Sequence, residues 1–523
     1  MKKALSLLLS GVLSLSILTS CAQEPVEITM DSFMVTAEDS KVVSMIAQID
    51  SITEASFETE DAIISAYNTY LLLNDEEREF VANSEKLYEL LDGIATLYNT
   101  SERRGDRINR NQILIGTYCF NFKDETHVKE LADANIDFIT ATGFNQEKFD
   151  NLAKYGIGAF LSGLPSWRGD DRLPEDPQPT PTFDMTYYAQ KLNEVVDHEA
   201  IWGIDIVDEP SALDYFFLAQ QCDTIYEELP GYLAYINLHP GHGRARLGTV
   251  NEFEFDPGEA DYREYISEYV KQVDIDFICY DHYFYQQGVP DQNELEGQLL
   301  MHKIIAEACR ENDKDFWMVM QLNSRSALNN YTDNVQLTQD QLQIQVNVAL
   351  AYGARAINWA CWQPGWWVHN VYERDGSRSL QYERVCEVNA NIKELSPIYI
   401  NYKYVDTCSF GPNDHDINKM TRYYDNNIDQ DTFKNITVDD DTFFLAGYFE
   451  KQGGSEGKAM FITNISDKMI ASKPRADKIS FEVENPDAVV TAYIMGKPHI
   501  LEAENGVYSI SLYNAEYAFI TVE

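Results

Sequence analysis

Two adjacent carboxylates close an apolar segment near the middle of the chain. Residues 201–210 read Ile-Trp-Gly-Ile-Asp-Ile-Val-Asp-Glu-Pro, so Asp208 and Glu209 stand at its end. Carboxyl groups at the mouth of an apolar strand are costly unless they are paired, hydrogen-bonded or used in chemistry. Desolvation raises the pKa of such a group, which suits a general acid near neutral pH. Glu209 is therefore the first candidate acid, and the alternative is that both residues cap a helix starting near Ser211.

Aromatic and polar residues follow other apolar segments in the same way. Asp281, His282 and Tyr283 end the segment 277–283 and are candidates for a catalytic partner and for ligand contacts. Aromatic rings stack on flat apolar faces such as those of sugars. The candidate contacts elsewhere are Trp167 in a proline-rich insertion at 164–185, Asn323, and Trp362, Trp366 and Trp367 in a tryptophan-rich stretch.

The elements that must position these residues alternate between short apolar runs and longer amphipathic stretches. This alternation predicts βαβ units and a parallel sheet. Eight such units in 110–400 fit a closed (β/α)₈ TIM barrel, and the first strand lacks the glycine-rich loop that a doubly wound sheet would carry. The eight predicted strands are Ile113–Phe120, Asp137–Thr142, Gly158–Gly163, Ile201–Asp208, Tyr232–Leu238, Phe277–Tyr283, Phe316–Leu322 and Ala356–Trp362.

The segments on either side of the predicted barrel have different sequence patterns. Residues 40–105 repeat apolar residues at helical spacing, and Asn74 with Glu77 forms a capping-box pattern. This part resembles the small FIVAR-like helical modules of exported bacterial proteins, for which a spacer role is expected. Residues 401–523 alternate over short runs with turn residues between them, which predicts a β-sandwich. The predicted fold class is therefore a multidomain α/β protein.

The barrel resembles the clan A glycoside hydrolases. In that clan the acid/base glutamate ends the fourth strand, often as Asn-Glu-Pro or Asp-Glu-Pro, and Glu209 matches this position. The resemblance implies that a residue among 281–283 orients the second carboxylate or contacts the sugar. It also implies that Trp362, at the end of the eighth strand, forms the floor beneath the sugar.

The seventh strand departs from the clan pattern. Its end carries Gln321 where retaining members have the nucleophilic glutamate, and no Asp or Glu lies between Asp315 and Asp333. An amide cannot form a covalent glycosyl-enzyme intermediate. Three explanations remain open: Asp281 or Asp208 supplies the partner carboxylate and activates a water; the substrate assists through an acetamido group that Gln321 orients; or the barrel binds glycan without cleaving it.

The first 39 residues predict export. Lys2 and Lys3 precede a short apolar run, and Leu-Thr-Ser-Cys at 18–21 resembles the lipobox in which Cys21 becomes the lipidated N-terminus. Residues 1–21 are expected to be a lipoprotein signal peptide and 22–39 a tether. The mature protein is then anchored by lipid to the bacterial cell envelope, facing outward.

Charge and motifs exclude several classes of partner. A formal net charge of −45 disfavours nucleic acid but not a neutral polysaccharide. No cysteine or histidine spacing predicts a zinc site, and neither a metal nor an organic cofactor is expected. The sequence thus predicts a glycosidase of an extracellular oligo- or polysaccharide, with a non-catalytic glycan-binding surface lipoprotein as the alternative.

Overall fold

The structure is a computed structural model of the 523-residue chain. It describes residues 40–101, 103–118, 124–166, 183–241, 259–285, 292–325, 336–362, 367–368, 370–373, 375–410, 432–439, 442–454, 456–466 and 476–523.

Eight parallel strands form a closed barrel, which confirms the predicted fold. Neighbouring strands follow chain order, and the eighth pairs with the first, with Ala356 opposite Leu114. The strands are β1 Leu114–Tyr118, β2 Phe138–Thr142, β3 Gly158–Leu161, β4 Ile201–Asp208, β5 Leu233–Leu238, β6 Phe277–His282, β7 Asp315–Gln321 and β8 Ala354–Ala360.

Aromatic side chains fill the interior of the barrel near the amino-terminal ends of its strands. Trp317 of β7 stacks on Phe277 of β6 with ring centroids 4.1 Å apart, and Phe138, Phe160 and Tyr235 also contact its ring. Because successive side chains of a strand point to opposite faces, Trp317 inside the barrel also places Gln321 on the inner face. Chemistry is therefore confined to the rim above this packed core.

Helices cover the outside of the barrel and begin at residues that cap them. Asp124, Asn145 and Asp184 accept backbone hydrogen bonds at three helix starts, and Thr338 forms a capping box. The helices are α5 Glu125–Asp133, α6 Gln146–Lys154, α7 Met185–Leu192, α8 Tyr215–Glu228, α9 Glu259–Gln272, α10 Gln292–Glu311, α11 Gln339–Ala351 and α12 Leu380–Tyr399.

Four helices precede the barrel: α1 Ser40–Ser51, α2 Glu60–Leu71, α3 Asp75–Glu79 and α4 Ser84–Tyr98. The predicted capping box is present, because Asn74 accepts from the N–H of Glu77 and Glu77 accepts from that of Asn74. These helices pack directly on barrel helix α12. The Tyr67 hydroxyl donates to the carbonyl of Glu394, and Arg78 forms an ion pair with the Glu394 carboxylate at 2.7 Å.

Two antiparallel sheets follow the barrel, as a β-sandwich predicts. Gly447 is required where this part meets the barrel, since a Cβ atom there would lie 1.9 Å from the carbonyl oxygen of Ala351. One sheet has the order β9-β11-β12-β17-β14-β15 and the other β10-β13-β16, with strands β9 Tyr402–Phe410, β10 Phe433–Val438, β11 Phe444–Lys451, β12 Lys458–Asn464, β13 Ala476–Val483, β14 Val490–Ile494, β15 Lys497–Ile500, β16 Tyr508–Tyr513 and β17 Tyr517–Val522.

Within the described ranges, no helix combines the length and the apolar character that crossing a membrane requires. The six described cysteines are free thiols, and all except Cys386 are buried.

Candidate active site

The ends of β4 and β5 hold the Asp-Glu pair in a defined geometry. Glu209 adopts a left-handed backbone conformation with φ of 50°, which is uncommon outside glycine and asparagine. Its N–H donates to the carbonyl of Asn237 at 2.8 Å, and the Asn237 side-chain amide donates to Asp208 Oδ1 at 2.8 Å. Asp208 is exposed, and the Glu209 side chain keeps 25% of its surface in contact with solvent. Both carboxyl groups therefore remain accessible at the rim.

His239, directly after β5, lies beside Glu209. Its Nε2 is 3.8 Å from Glu209 Oε2, and its Nδ1 is 2.5 Å from the carbonyl oxygen of Pro240. A carbonyl can only accept a hydrogen bond, so Nδ1 carries a proton and Nε2 is the ring nitrogen that faces Glu209. The hydroxyl of Tyr265 accepts from the N–H of His239 and donates to the carbonyl of Pro210, which ties the two strand ends together.

Asp281 brings a third carboxyl group to the same rim from β6. Its side chain is only 3% exposed. Burial raises its pKa well above the usual value, and the negative charges of Glu209 and Asp208 raise it further. A hydrogen bond from Tyr283 opposes this shift, while Oδ1 has no hydrogen-bond partner in the part of the chain that is described. Asp281 is thus a buried carboxyl group that binds its proton more tightly than an ordinary aspartate does.

Gln321, which replaces the expected strand-seven glutamate, is fully engaged by backbone groups. Its Oε1 accepts from the N–H of Tyr285 at 2.8 Å, and its Nε2 donates to the carbonyl of Asn323 at 2.9 Å. The side chain has no exposed surface. This arrangement gives Gln321 a structural role in fixing the ends of β6 and β7. It counts against the expectation that the amide orients a substrate group.

His282 does not face the barrel interior, contrary to the expectation that it contacts a ligand. Asp281 points inward, so the next residue points outward. The His282 ring packs against Phe284 and His302, with centroids 5.5 and 6.1 Å away, and His302 belongs to α10 on the outer layer. Tyr283, by contrast, is half-buried and lies with Asp281 at the rim.

The burial of Trp362 counts against the expectation that it forms a sugar floor. Trp362 is 1% exposed, its Nε1 donates to the Tyr372 hydroxyl at 3.4 Å, and its ring packs edge-on against Tyr382 of α12. The indole therefore anchors the strand end to the outer helix. Burial raises the pKa of the Cys361 thiol, and the charge of Asp208 raises it further, so Cys361 lies near that carboxyl group.

Asn323 is also buried rather than available to a ligand. Its Oδ1 accepts from the N–H of Cys361 at 2.8 Å, and its Nδ2 donates to Asn370 Oδ1. These bonds join the ends of β7 and β8. Asn323, which was expected to contact a ligand, therefore connects the ends of two strands.

Several residues with predicted roles lie outside the part of the chain that the structure describes. Cys21, Trp167 and Trp366 fall outside the described ranges, as does the proline-rich insertion from 167 to 182. The backbone of Trp367 belongs to a two-residue strand paired with Ser324–Arg325. The ligand-binding roles of these tryptophans and the lipidation of Cys21 stay predictions.

Asn237 and His239 are functional candidates that the sequence reasoning missed. Residues 233–240 read Leu-Ala-Tyr-Ile-Asn-Leu-His-Pro, so two polar residues interrupt the end of an apolar strand. An amide and an imidazole buried at such a position need hydrogen-bond partners, which is the signal that could have identified them.

The assembled rim presents Asp208, Glu209, Asp281, His239 and Tyr283. A buried carboxyl group with a raised pKa next to a partly exposed one is an arrangement suited to acid–base chemistry. No group of three or more acidic, histidine or cysteine side chains within the described ranges is arranged to hold a metal ion.

Comparisons with known proteins return structures but no sequence relatives. No protein-family model matches the chain, and no curated protein matches it. Among solved structures, a glycoside hydrolase family 30 subfamily 8 xylanase from Clostridium acetobutylicum is 13% identical, with 79% of this chain and 96% of that one covered and a TM-score of 0.41. An endo-β-1,4-mannanase from Thermotoga petrophila is 9% identical, with 82% and 96% covered and a TM-score of 0.38.

A β-galactosidase from the Antarctic haloarchaeon Halorubrum lacusprofundi is 14% identical, with 53% of this chain covered and a TM-score of 0.39. This chain spans 58% of the length of that enzyme. All three matched proteins carry the names of glycoside hydrolases.

Proposed function

We propose that this protein is a glycoside hydrolase that cleaves an extracellular oligo- or polysaccharide, with Glu209 as the general acid. The observation that carries the proposal is the grouping of Asp208, Glu209 and Asp281 at the carboxyl-terminal rim of a closed barrel. Hydrolysis of a glycosidic bond uses two carboxyl groups, one protonated and one ionised.

Glu209 and Asp281 form the proposed pair because their environments differ. Like charges at short range cannot both ionise easily, so the two carboxyl groups compete for a proton. Burial, and then the charge of Glu209, raise the pKa of Asp281 well above its usual value in the free protein. Glu209 is the more exposed member and is therefore the one that a bound sugar can reach.

Substrate binding gives Glu209 its proton in this proposal. A sugar ring that covers Glu209 removes its remaining contact with water, which raises its affinity for a proton. Glu209 then protonates the leaving oxygen, and Asp281 is left as a carboxylate that stabilises positive charge or activates a water. His239 lies beside the Glu209 carboxyl group, with its Nε2 3.8 Å from Oε2.

The test is hydrolysis of a panel of neutral oligo- and polysaccharides by the wild type and by Glu209→Gln and Asp281→Asn. We expect each substitution to lower kcat by at least about 100-fold, the usual scale for a lost acid or base. The matched control is Glu502→Gln, because Glu502 is exposed in the sandwich and the same atoms change there. An active wild type whose turnover survives Glu209→Gln contradicts the assignment of Glu209.

A second candidate function is glycan binding without cleavage. The observation that favours it is Gln321, an amide held by backbone bonds where a nucleophile would be expected. If the wild type binds an oligosaccharide from the panel but hydrolyses none, the binding function replaces the catalytic one. If it neither binds nor hydrolyses any member, both candidates fail.

We also propose that the protein is exported and held at the cell envelope by a lipid on Cys21, as the Leu-Thr-Ser-Cys segment indicates. Metabolic labelling with a palmitate analogue tests this in cells that produce the wild type or Cys21→Ser. We expect label in the membrane fraction for the wild type alone. Equal labelling of both proteins contradicts the proposal.

A further inference from the structure

A second cavity lies at the opposite end of the barrel from the carboxyl-rich rim. Its volume is about 130 Å³, and it is lined by the beginnings of β1, β7 and β8. Residues after α4 and at the start of β9 complete its walls, so the cavity lies where the helical part, the barrel and the sandwich meet.

The lining is strongly basic although the chain as a whole is acidic. It carries two acidic side chains, Asp313 and Asp315, in a protein with a formal net charge of −45. The basic side chains of the lining are Arg103, Arg110, Arg310, Lys314, Arg355 and Lys403. Six cations against two anions leave an excess of four positive charges around a small volume.

The two acidic residues are already neutralised by part of this set. Asp313 pairs with Lys403 at 3.0 Å and with Arg103 at 3.5 Å, and Asp315 pairs with Arg110 at 2.6 Å. The remaining cations therefore have no acidic partner within the cavity itself.

Two of the remaining cations are half-buried, and their hydrogen bonds within the described ranges go only to backbone carbonyls. Lys314 donates to the carbonyl of Ile275 at 2.5 Å, and Arg355 donates to the carbonyls of Ile400 and Tyr402. Neither forms an ion pair with a carboxylate in the described ranges. Burial lowers the pKa of each, which opposes the charged form, although Asp274 and Asp276 partly offset this for Lys314. Buried positive charge of this kind is stabilised by a bound anion.

Two buried hydrogen-bond donors of the lining have no acceptor among the residues that the structure describes. These are Arg110 Nε, on a side chain only 9% exposed, and Trp317 Nε1, on a side chain 1% exposed. Buried donors are nearly always satisfied, so both indicate an acceptor that the protein part of the site does not supply. Donors and cations that face one small volume match the several acceptor oxygens of an oxyanion.

We propose that this cavity binds a tetrahedral oxyanion, phosphate or sulfate, that joins the three parts of the chain. The volume corresponds to about four water molecules and admits such an ion. The site is independent of the proposed glycosidase chemistry, because it lies at the other end of the barrel.

The experiment is calorimetric titration of the purified protein at low ionic strength with inorganic phosphate and, separately, with inorganic sulfate. We expect one saturable site per chain for both ions. Arg310→Gln/Lys403→Gln removes two charges that are partly exposed and is expected to weaken binding at least about tenfold, since charge-assisted hydrogen bonds are lost. Arg110→Lys keeps the charge but removes the Nε donor, and should weaken binding by about threefold or more.

The matched control is Lys129→Gln/Lys434→Gln, which removes two partly exposed, ion-paired cations elsewhere. It should bind phosphate within about twofold of the wild type, as the loss of distant, screened charges predicts. Absence of saturable binding to the wild type overturns the proposal. Equal weakening in the control and the cavity variants also overturns it, because binding then follows total charge.

Glycerol phosphate, titrated in parallel, separates a free ion from an esterified group. Weaker binding of the ester than of inorganic phosphate supports a site for the free ion, and tighter binding supports a phosphoryl group of a larger ligand. Circular dichroism of each variant without phosphate shows that a loss of binding is not a loss of folding.

Discussion

Asp281 places a carboxyl group where surrounding side chains exclude water and two other carboxyl groups lie nearby. Its raised pKa follows from that placement, first from burial and then from the charges of Glu209 and Asp208. A residue in this situation destabilises the folded protein whenever it is forced to ionise. Keeping such a residue is a cost to stability that a functional role would explain.

We predict that Asp281→Asn stabilises the protein at neutral pH. The folded pKa is raised, so the folded state binds the proton more tightly than the unfolded state, whose pKa is about 3.9. The free energy of unfolding therefore falls as the pH rises above the pKa of the unfolded state. A neutral amide at this position avoids that loss. The melting temperature of the variant should exceed that of the wild type at pH 7–8, with a gain of about 1 kcal/mol corresponding to roughly 2–4 °C.

The difference should shrink towards pH 4, where both side chains are neutral in the folded state. Asp487→Asn is the control, because Asp487 is exposed in a turn of the sandwich and undergoes the same chemical change. A stability gain that does not depend on pH would show that the proton of Asp281 is not its cause.

At the scale of elements, the strand ends of the barrel are joined by side-chain amides. Gln321 ties β7 to the segment after β6, Asn323 ties β7 to the end of β8, and Asn237 ties β5 to β4. Each side-chain amide carries both N–H donors and an acceptor oxygen, which lets it bridge two backbones or a backbone and a carboxylate. The rim is therefore rigid around the acidic cluster, as a pre-organised site requires.

We predict that Gln321→Glu destabilises the protein instead of restoring a nucleophile. The donor to the carbonyl of Asn323 is lost, and a carboxylate oxygen is brought against that carbonyl oxygen. The loss should be about 1–3 kcal/mol near pH 7, the usual scale for a broken buried hydrogen bond. Urea denaturation measures it.

The same variant should regain stability in acid. The introduced carboxyl group would have a raised pKa in the folded state. Its destabilising effect is therefore present above about pH 4.3, the pKa of a glutamate in the unfolded chain, and decreases below that pH. Gln48→Glu on α1 is the control, since the Gln48 amide makes no hydrogen bond within the described ranges. Full stability of Gln321→Glu at pH 7, with new hydrolytic activity, would contradict the structural role.

At the scale of the whole molecule, the helical part, the barrel and the sandwich share buried polar contacts. Lys451 of the sandwich lies 2.9 Å from Glu60 of α2 and 2.9 Å from Glu523, and the Tyr98 hydroxyl donates to Glu60 at 2.6 Å. The expected spacer role of the helical part stays a prediction, but these contacts fix that part against the sandwich.

We predict that Lys451→Met lowers the free energy of unfolding by about 3 kcal/mol, because it leaves the buried Glu60 without its cation. The pKa of Lys451 is raised by Glu523 and Glu60 despite burial. The stabilisation it gives is therefore complete at neutral pH and is lost only as pH rises through that raised value. Adding Glu60→Gln should recover much of the loss.

Lys458→Met is the control, because Lys458 forms a more exposed ion pair with Glu450 and should change stability by less than about 1 kcal/mol. An equal effect of the two lysine variants would show that the contact with Glu60 contributes nothing specific.

The sequence by itself determined the order of the barrel strands and the position of Glu209 at the end of β4. Short apolar runs that alternate with longer amphipathic stretches predict βαβ units, and eight such units in 110–400 fit a closed barrel. The amide at Gln321 was equally visible as a departure from the glycosidase pattern.

Only the tertiary structure decided which side chains at the strand ends face the rim. Trp362 and His282 point outward and Asn323 is used as a connector, while His239 and Asn237 join the acidic cluster. The reason is that one residue of offset, from a bulge or from the end of a strand, reverses the face that a side chain occupies. The raised pKa of Asp281 also depends on burial and on charges from another strand, neither of which is a local property of the sequence.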